Sequence, residues 1–295
     1  MKTLNLILFV FLITIATSFN YNALAQSVYF DLSPGYALNL MPDAPNDVYM
    51  NSLTTYAPLK ISGSFGKGWN YGANVGFFVT PYLAVELGFN QLSGGTYSSS
   101  QYLRLNDSQS ITLDESNHGN MFRFCPMIKY STFDGKILPF VNNTARDGGS
   151  WVEYYIKFGF IIGVSNSITS NQTITKTDTT TSLAYNATTV YSGGSSTGYN
   201  FRFGVSFKQN DNIFLFAEAS FLSQYFIPQH SEITSYTYGG TDILNTLSAS
   251  QRETNYITTY TSIHNTGKGP TQAAAKSYPF SSIGLNVGIQ YKIKR

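Results

Sequence analysis

The sequence contains one cysteine, few charged residues and no long apolar run beyond its N-terminus, and each shortage excludes a class of protein. Because Cys125 has no second cysteine to pair with, no internal disulfide can stabilise the chain. Charged residues make up 12% of the sequence, about half their share in soluble domains. The net charge of +2 includes no basic block, which argues against nucleic-acid binding. The spacing of the histidines and the cysteine matches no metal site, and nothing indicates a cofactor.

The N-terminus is the most apolar stretch, and it is typical of a secretion signal. Lys2 supplies a positive charge, residues 4–15 form an apolar core, and Ala23-Leu24-Ala25 is a small-x-small cleavage site. The alternative is a membrane-anchoring helix, but that needs about 20 apolar residues. No cysteine stands at the expected mature start, Gln26, which argues against a lipoprotein. We therefore expect residues 1–25 to be a cleaved signal peptide and 26–295 to form one large domain.

Aromatic residues are plentiful, with 22 Tyr and 22 Phe, although the mean hydropathy is only −0.10. Several segments alternate apolar residues with small or polar ones, which is the period of a strand with one apolar and one polar face. The clearest is 283–293, and at about 11 residues it is long enough to cross a bilayer as a tilted strand. The predicted strands span about 28–40, 69–79, 82–92, 119–131, 151–165, 199–208, 213–224 and 283–293.

The connections between these strands alternate in length. Long polar connections span 41–66, 93–118, 166–198 and 225–280, and tight turns lie at 80–81 and 209–212. Long loops on the cell-surface side and short turns on the periplasmic side are typical of outer-membrane barrels. The sequence therefore predicts an all-β fold, an eight-stranded antiparallel up-and-down transmembrane β-barrel. Because 137–141 also resembles a strand, the region 132–165 leaves ten strands as an alternative.

Two of the long connections, 172–192 and 231–263, contain an alternation of Thr, Tyr and Ile. One interpretation is that they continue their strands as a hairpin rim above the membrane. The other is that they are mobile polar loops, and the sequence does not distinguish the two.

On each predicted strand, the residues that alternate with the outward apolar ones face the inside of the barrel. An eight-stranded barrel is just wide enough to be filled by its own side chains. Buried charges must pair, because an isolated buried charge is strongly unfavourable. We expect one structural, mutually paired polar network, with a charge-lined pore as the alternative. The predicted lumen residues are Asp31, Glu86, Arg123, Glu153, Lys157, Arg202 and Glu218, with Lys129, Lys208 and Lys292 near the periplasmic ends and Cys125 as a small filler.

Aromatic residues lie toward both ends of the predicted strands, as in the interfacial girdles that anchor barrels in a bilayer. On the loop side we place Trp69, Tyr71, Tyr154, Tyr199 and Tyr225. On the turn side we place Tyr82, Tyr130, Phe207 and Tyr291.

The last predicted strand also carries a short motif. Asn286-x-Gly288-x-x-Tyr291-x-Ile293 is similar to the polar-x-Gly-x-x-aromatic-x-hydrophobic signal read by the barrel-assembly machinery. With the hairpin 77–89, it resembles the OmpA/OmpX-type outer-membrane β-barrel family. The resemblance implies an outer-membrane location, contact with outer-membrane lipid and lipopolysaccharide, and assembly by that machinery. Two features depart from the family: the chain continues to Lys294-Arg295, and no peptidoglycan-binding domain follows, so we expect no wall-tethering role.

Three functions are consistent with such a barrel. We expect a monomer with a structural or surface-interaction role, adhesion or ligand binding through its loops. A narrow porin-like channel for small solutes is the alternative. A barrel hydrolase acting on lipids has less support: His118 lies beside Ser116 and Glu115, but adjacency in sequence is not the geometry of a triad. We therefore expect no enzymatic activity. The loop sequences do not indicate which ligand or partner they would bind.

Overall fold

A computed structural model describes seven stretches of the chain, residues 27–40, 64–80, 82–104, 109–132, 152–178, 182–257 and 269–293. The predicted signal peptide and the ambiguous segment 133–150 lie outside these residues. The strands are β1 (Val28–Asn39), β2 (Gly68–Phe78), β3 (Leu83–Arg104), β4 (Ser110–Ser131), β5 (Val152–Thr177), β6 (Ser182–Ser192), β7 (Ser195–Lys208), β8 (Ile213–Ile227), β9 (His230–Tyr238), β10 (Thr241–Asp242), β11 (Glu253–Ile257), β12 (Thr271–Ala274), β13 (Tyr278–Pro279) and β14 (Ser282–Ile293). Short helical turns lie at Leu244–Thr246 and Ala249–Arg252.

Eight of these strands close into an antiparallel barrel. The order round the ring is β1, β2, β3, β4, β5, β7, β8 and β14, and β14 pairs with β1 to complete it. All eight correspond to strands predicted from the sequence. Since β4 pairs directly with β5, no further strand lies between them in the ring. The eight-stranded prediction is therefore confirmed, and the ten-stranded alternative is wrong.

The register of the pairs gives the stagger of the barrel. Stepping once round the ring from Val28 through each directly paired residue leads back to β1 at Leu38, ten residues further along. A stagger of this size over eight strands tilts them by about 40° from the barrel axis. The residues met on the way are all apolar and all on the outer face: Phe77, Val85, Ile128, Phe158, Phe201, Phe221 and Ile283.

Burial alternates along the barrel strands, but the exposed face is the apolar one. Leu32 is 66% exposed and Leu285 is 70% exposed, whereas Glu86 and Arg123 are fully buried. The outward positions of the eight strands carry no charged side chain between the two rims, within the residues that the structure describes. The predicted parity of every barrel strand is confirmed, because lipid on one side and an enclosed lumen on the other impose a period of two.

No helix in the described stretches is long and apolar enough to cross a membrane.

Several strands continue well past the ring. Beyond Gly94, β3 and β4 form a long hairpin, and β5 pairs with β7 only as far as Gly163. A register shift at Phe122/Arg123 follows, and from Ser167 onward β5 pairs with β6 instead. Because β5 has 26 residues and a bilayer needs about 9–11, more than half of it lies beyond the membrane-spanning part.

These continuations join other strands in an open sheet of seven strands plus the two-residue β10, which pairs with β9, and we call this sheet the extension. Its order is upper β3, upper β4, upper β5, β6, β9, β11 and β12. Between β6 and β7 the chain bends at Gly193 and Gly194, whose φ angles of +68° and +80° suit residues without a Cβ. Of the two interpretations of segments 172–192 and 231–263, the hairpin rim is confirmed in their described parts.

Candidate functional site

The centre of the lumen is an ion-paired group built around Lys157. Its Nζ atom lies 2.9 Å from Glu86, 3.3 Å from Asp31 and 3.6 Å from Glu218. Arg202 donates to Glu218 at 2.7 Å, so this carboxylate faces two cations. All five residues are almost fully buried, and they come from five different strands. The group therefore ties opposite walls of the barrel together.

Two tyrosines that the sequence analysis did not single out as network members complete this group. Tyr29 donates its hydroxyl to Glu86 at 2.8 Å, and Tyr155 donates to Glu218 at 3.2 Å. Both rings are buried because each lies directly against a glycine on a neighbouring strand. The pairs are Tyr29 with Gly76 and Tyr155 with Gly204, where an added Cβ would lie 2.0 Å and 2.4 Å from the ring.

A second charged group fills the turn side of the lumen. Glu153 accepts from Lys292 at 2.6 Å and lies 3.5 Å from the Nζ atom of Lys129. Lys129 also lies 4.4 Å from the ring centroid of Tyr155, and Lys292 lies 4.2 Å from that of Phe214. Together the two groups contain four carboxylates and four cations, so their formal charges balance.

The remaining predicted lumen cation, Arg123, belongs to neither group. It is fully buried, and its Nη1 atom donates to the amide oxygens of Asn70 at 3.2 Å and Asn90 at 3.4 Å. The structure thus divides the expected single network between two ion-paired groups and one arginine held by amides. Lys208 lies at the turn, where it pairs with Asp211 at 2.8 Å and is partly exposed.

The loop side of the lumen is closed by an aromatic cluster that the sequence analysis missed. Two short segments, 64–67 and 278–281, fold into the mouth and are joined by a hydrogen bond from the Phe65 amide to the Pro279 carbonyl at 2.9 Å. The sequence predicts long polar connections over most of both segments, and the only signal in the sequence is their local content of Phe and Tyr. The buried members of the cluster are Phe65, Leu92, Met121, Ile168, Phe226, Tyr278 and Phe280.

Replacing Glu153 with alanine is expected to destabilise the barrel by about 1–3 kcal/mol, because it leaves two lysines in the lumen without a carboxylate. The measurement is the urea midpoint of the detergent-refolded barrel, followed by gel mobility with and without boiling. As a matched control, Glu253→Ala on β11 removes a carboxylate from the extension and should change stability by less than about 0.5 kcal/mol. Equal midpoints for Glu153→Ala and the parent would contradict the structural role of this group.

The predicted aromatic girdle residues lie on the outer face near the two rims. Trp69, Tyr71 and Tyr199 are each more than half exposed on the loop side. On the turn side, Tyr82 and Tyr130 stack with ring centroids 6.4 Å apart. One placement is wrong: the backbone of Tyr154 is hydrogen-bonded to Thr132, next to Tyr130, so it lies on the turn side. The sequence prediction placed Tyr154 on the loop side, but β5 begins at the turn-side rim and Tyr154 is its third residue. Tyr291 lies on the turn side as well, paired with Phe30 at the start of β1.

The residues of the predicted assembly motif are all in β14, at the seam where the barrel closes. Asn286 points inward and donates to Glu218 at 3.2 Å. Gly288 also points inward, whereas Tyr291 and Ile293 are outward and about half exposed. The motif therefore contributes to both faces of the closing strand, and its recognition by assembly machinery stays a prediction.

The extension presents one tyrosine-rich face that continues the inner surface of the barrel. Register places Glu115, Gln172, Ala187 and Tyr236 in one row across β4, β5, β6 and β9. The next row outward contains Leu113, Ile174, Tyr185 and Tyr238. A pocket of about 250 Å³ opens on this face, lined by Gln172, Ile174, Tyr185, Ala187 and Tyr236.

The opposite face of the extension carries small polar residues. Thr173 donates to Asn186 at 2.8 Å and Thr188 donates to Asn171 at 2.8 Å, forming ladders between neighbouring strands. Ser116 and His118 lie on this face of β4, whereas Glu115 lies on the tyrosine-rich face. Adjacent residues of a strand point to opposite sides, so these three do not come together as a triad.

An apolar, uncharged exterior around a polar, ion-paired interior is the inverse of a soluble protein. Combined with strands long enough to cross a bilayer and a ring without edges, it defines a transmembrane β-barrel. The extension is then the part of the described chain that continues beyond the lipid-facing ring.

No protein-family model and no curated protein sequence matches the chain. Among solved structures it is similar to the N-terminal β-barrel domain of Pseudomonas aeruginosa OprF, with 11% identity, a TM-score of 0.33, and coverage of 92% of this chain and 100% of that one. Neisserial surface protein A shows 8% identity and a TM-score of 0.33, covering 92% and 97% of the two chains. Acinetobacter baumannii CarO2 shows 12% identity and a TM-score of 0.31, covering 92% and 100%. Similarity at this level transfers no function.

Proposed function

We propose that this chain is an integral outer-membrane barrel that acts as a rigid anchor for an interaction surface outside the cell. The extension is that surface, and the role is adhesion or ligand binding. The observation that carries the proposal is the continuity of the strands: β3, β4 and β5 run from the ring into the extension. A partner bound there is held by the same hydrogen-bonded sheet that crosses the membrane.

The direction of the extension follows from the connections. The first residue of β1 and the last residue of β14 lie at the same rim as the short connections from β2 to β3 and from β7 to β8, and the extension lies at the other rim. In outer-membrane barrels the short turns face the periplasm. With the predicted signal peptide, this supports an outer-membrane location and an extension on the cell surface, in reach of lipopolysaccharide.

The filled lumen favours this role over the channel alternative. Two ion-paired groups and a buried aromatic cluster occupy successive levels between the rims. A conducting pore would need a continuous water-filled path through these groups. The closed ring leaves no strand edge unpaired within the membrane, which supports a monomer. We assign no chemical reaction to the chain.

A trimmed variant tests the proposal. Residues 94–119 and 164–195 are each replaced by an Asn-Gly turn, which joins the paired residues Ser93 and Asn120, and Gly163 and Ser196. Residues 230–274 are replaced by a Gly/Ser linker. This removes the extension but keeps the ring and the mouth segments. We expect the variant to fold, as shown by altered gel mobility without boiling, and to lose the binding that the parent shows on a glycan and peptide array.

Binding retained by the folded trimmed variant, or its absence from the parent, would overturn the proposed role. The array is paired with a flux measurement on the parent in liposomes, where we expect no more leak of small ions than in protein-free vesicles. Steady single-channel conductance in the parent would favour the channel instead.

A further inference from the structure

The pocket on the extension exists because one row of the sheet has a small residue in its middle. Ala187 on β6 lies between Gln172 on β5 and Tyr236 on β9. Its short side chain leaves a depression that Ile174 and Tyr185 bound from the next row. The walls are therefore almost wholly carbon, apart from one side-chain amide and the hydroxyls at the outer edge of the tyrosines.

The aromatic side of the pocket is held in place by further rings. Tyr185 packs against Tyr238 with centroids 4.5 Å apart, and Tyr236 lies in the adjacent row of β9. Both tyrosines that line the pocket are only partly buried, so their rings are open to a ligand. The face of an aromatic ring carries a partial negative charge, which attracts cations and not anions.

A buried carboxylate stands beside this pocket with one oxygen unused. Glu115 is 4% exposed, and its Oε1 atom accepts from Ser170 at 3.0 Å and from Gln172 at 3.4 Å. Its Oε2 atom is buried and has no hydrogen-bond partner. No cation of the described residues forms an ion pair with Glu115. A buried carboxylate oxygen without a partner is energetically unfavourable unless a cation or a hydrogen-bond donor interacts with it.

Gln172 connects the two features, because it lines the pocket and donates to Glu115. The influence of this carboxylate also reaches the tyrosines closer to the barrel. Burial, followed by Tyr256 and then by Glu115, raises the pKa of Tyr191 above its ordinary value. Negative charge and aromatic faces thus meet on one side of the extension.

We propose that this pocket binds a small organic cation, an alkylated ammonium group such as that of choline. The tyrosine faces would take the methylated head by cation–π contact, and the carboxylate of Glu115 would supply the opposite charge from two strands away, roughly 10 Å across the sheet. The inference rests on the proposed surface role and names its ligand class. A neutral sugar suits the pocket less well, because its hydroxyls would meet few polar groups on these walls.

The test measures binding of choline chloride to the full chain by calorimetry, in a polyoxyethylene detergent that contains neither choline nor sugar. The matched ligand is 3,3-dimethylbutan-1-ol, which has the shape of choline without its charge. We expect choline to bind at least about tenfold more tightly than this alcohol, because only the cation gains from the rings and the carboxylate. Glucose serves as the saccharide arm and should not bind. Equal affinity for choline and the alcohol, or binding of glucose alone, would overturn the inference.

Variants assign the binding to this pocket. Glu115→Gln keeps the hydrogen-bonding shape but removes the charge, and Tyr236→Ala removes one wall, so each should weaken choline binding about tenfold or more. Tyr236→Phe keeps the ring and should bind choline within about twofold of the parent. Asp242→Asn, at an exposed position on the same extension, is the matched charge control and should have no effect. Unchanged affinity in both Glu115→Gln and Tyr236→Ala would contradict the site, and gel mobility shows which variants are folded.

A second experiment distinguishes two sources of the cation, a lipid headgroup and a soluble ligand. Binding of free choline is measured with nanodiscs of phosphatidylcholine as the competitor and nanodiscs of phosphatidylglycerol as the control. Competition by the phosphatidylcholine nanodiscs alone assigns a lipid headgroup as the source of the cation. The absence of competition assigns a soluble ligand. If choline fails to bind while array binding still depends on the extension, the ligand class is wrong and the surface role stands. If array binding is also unaffected by trimming, both are wrong.

Discussion

Replacing Lys157 with methionine is expected to destabilise the barrel by about 3–5 kcal/mol, the largest effect of any single lumen substitution. Methionine fills a similar volume, so packing is largely preserved, but the charge is lost. Lys157 is 1% exposed and is the common partner of Asp31, Glu86 and Glu218. Without it, Asp31 and Glu86 lose their ion pairs among the described residues, and Glu218 keeps only the pair with Arg202. The measurement is the urea midpoint of the detergent-refolded protein, read by gel mobility and tryptophan fluorescence.

The matched control is Lys208→Met. Lys208 also forms an ion pair, with Asp211 at 2.8 Å, but its side chain is 38% exposed and that of Asp211 is 76% exposed. Exposed pairs contribute about 0–1 kcal/mol, so this variant should lie close to the parent. Adding Glu86→Gln to Lys157→Met should recover part of the loss, because it removes one of the unpaired charges. Similar midpoints for the two lysine variants would contradict an ion-paired lumen.

The second large effect is expected from Gly288→Ala at the seam of the barrel. An added Cβ at this position would lie 2.2 Å from the backbone oxygen of Leu32 and 2.6 Å from the ring of Phe216. The Leu32 oxygen belongs to β1, the strand that β14 must pair with to close the ring, so it cannot move without separating the seam. We expect a cost of about 1–3 kcal/mol or more, and a clear fall in the fraction of folded barrel.

Gly284→Ala is the control for this substitution, on the same strand and the same face. Its Cβ would lie 3.0 Å from the Tyr36 oxygen and 3.1 Å from the Ser220 hydroxyl, which small shifts can relieve. Both variants are refolded from urea without assembly factors. Normal refolding of Gly288→Ala, together with poor insertion in cells, would assign Gly288 to the assembly motif and contradict the steric explanation.

The barrel itself could be predicted from the sequence because its two environments differ so sharply. In β7, Phe201, Phe203 and Val205 alternate with Arg202 and Gly204, and this contrast shows both the strand and its orientation. Six of the seven proposed network residues are almost fully buried, since parity alone decides which side chains point away from the exposed face.

The extension could be predicted only as one of two alternatives. Along residues 96–104 of β3 the side chains are mainly Ser, Thr, Tyr and Gln, and polar residues occur at the positions of both faces of the strand. Without a lipid face the hydrophobic alternation fades, so the strand ends near 92 in the sequence pattern although it continues to Arg104. Phe65 and Phe280 were missed for a related reason: isolated aromatic residues in long connections do not show what they pack against.

The sequence by itself determined the class of fold, the face that each strand turns to lipid and the set of charges enclosed by the strands, because those properties depend only on the order of residues along each strand. The strand count, eight and not ten, was decided by the direct pairing of β4 with β5. The tertiary structure decided which charges pair, how the mouth is closed and which tyrosines line a pocket beside Glu115. These depend on stagger and on a change of strand partners, and such contacts join residues far apart in the chain. Local alternation carries no information about them.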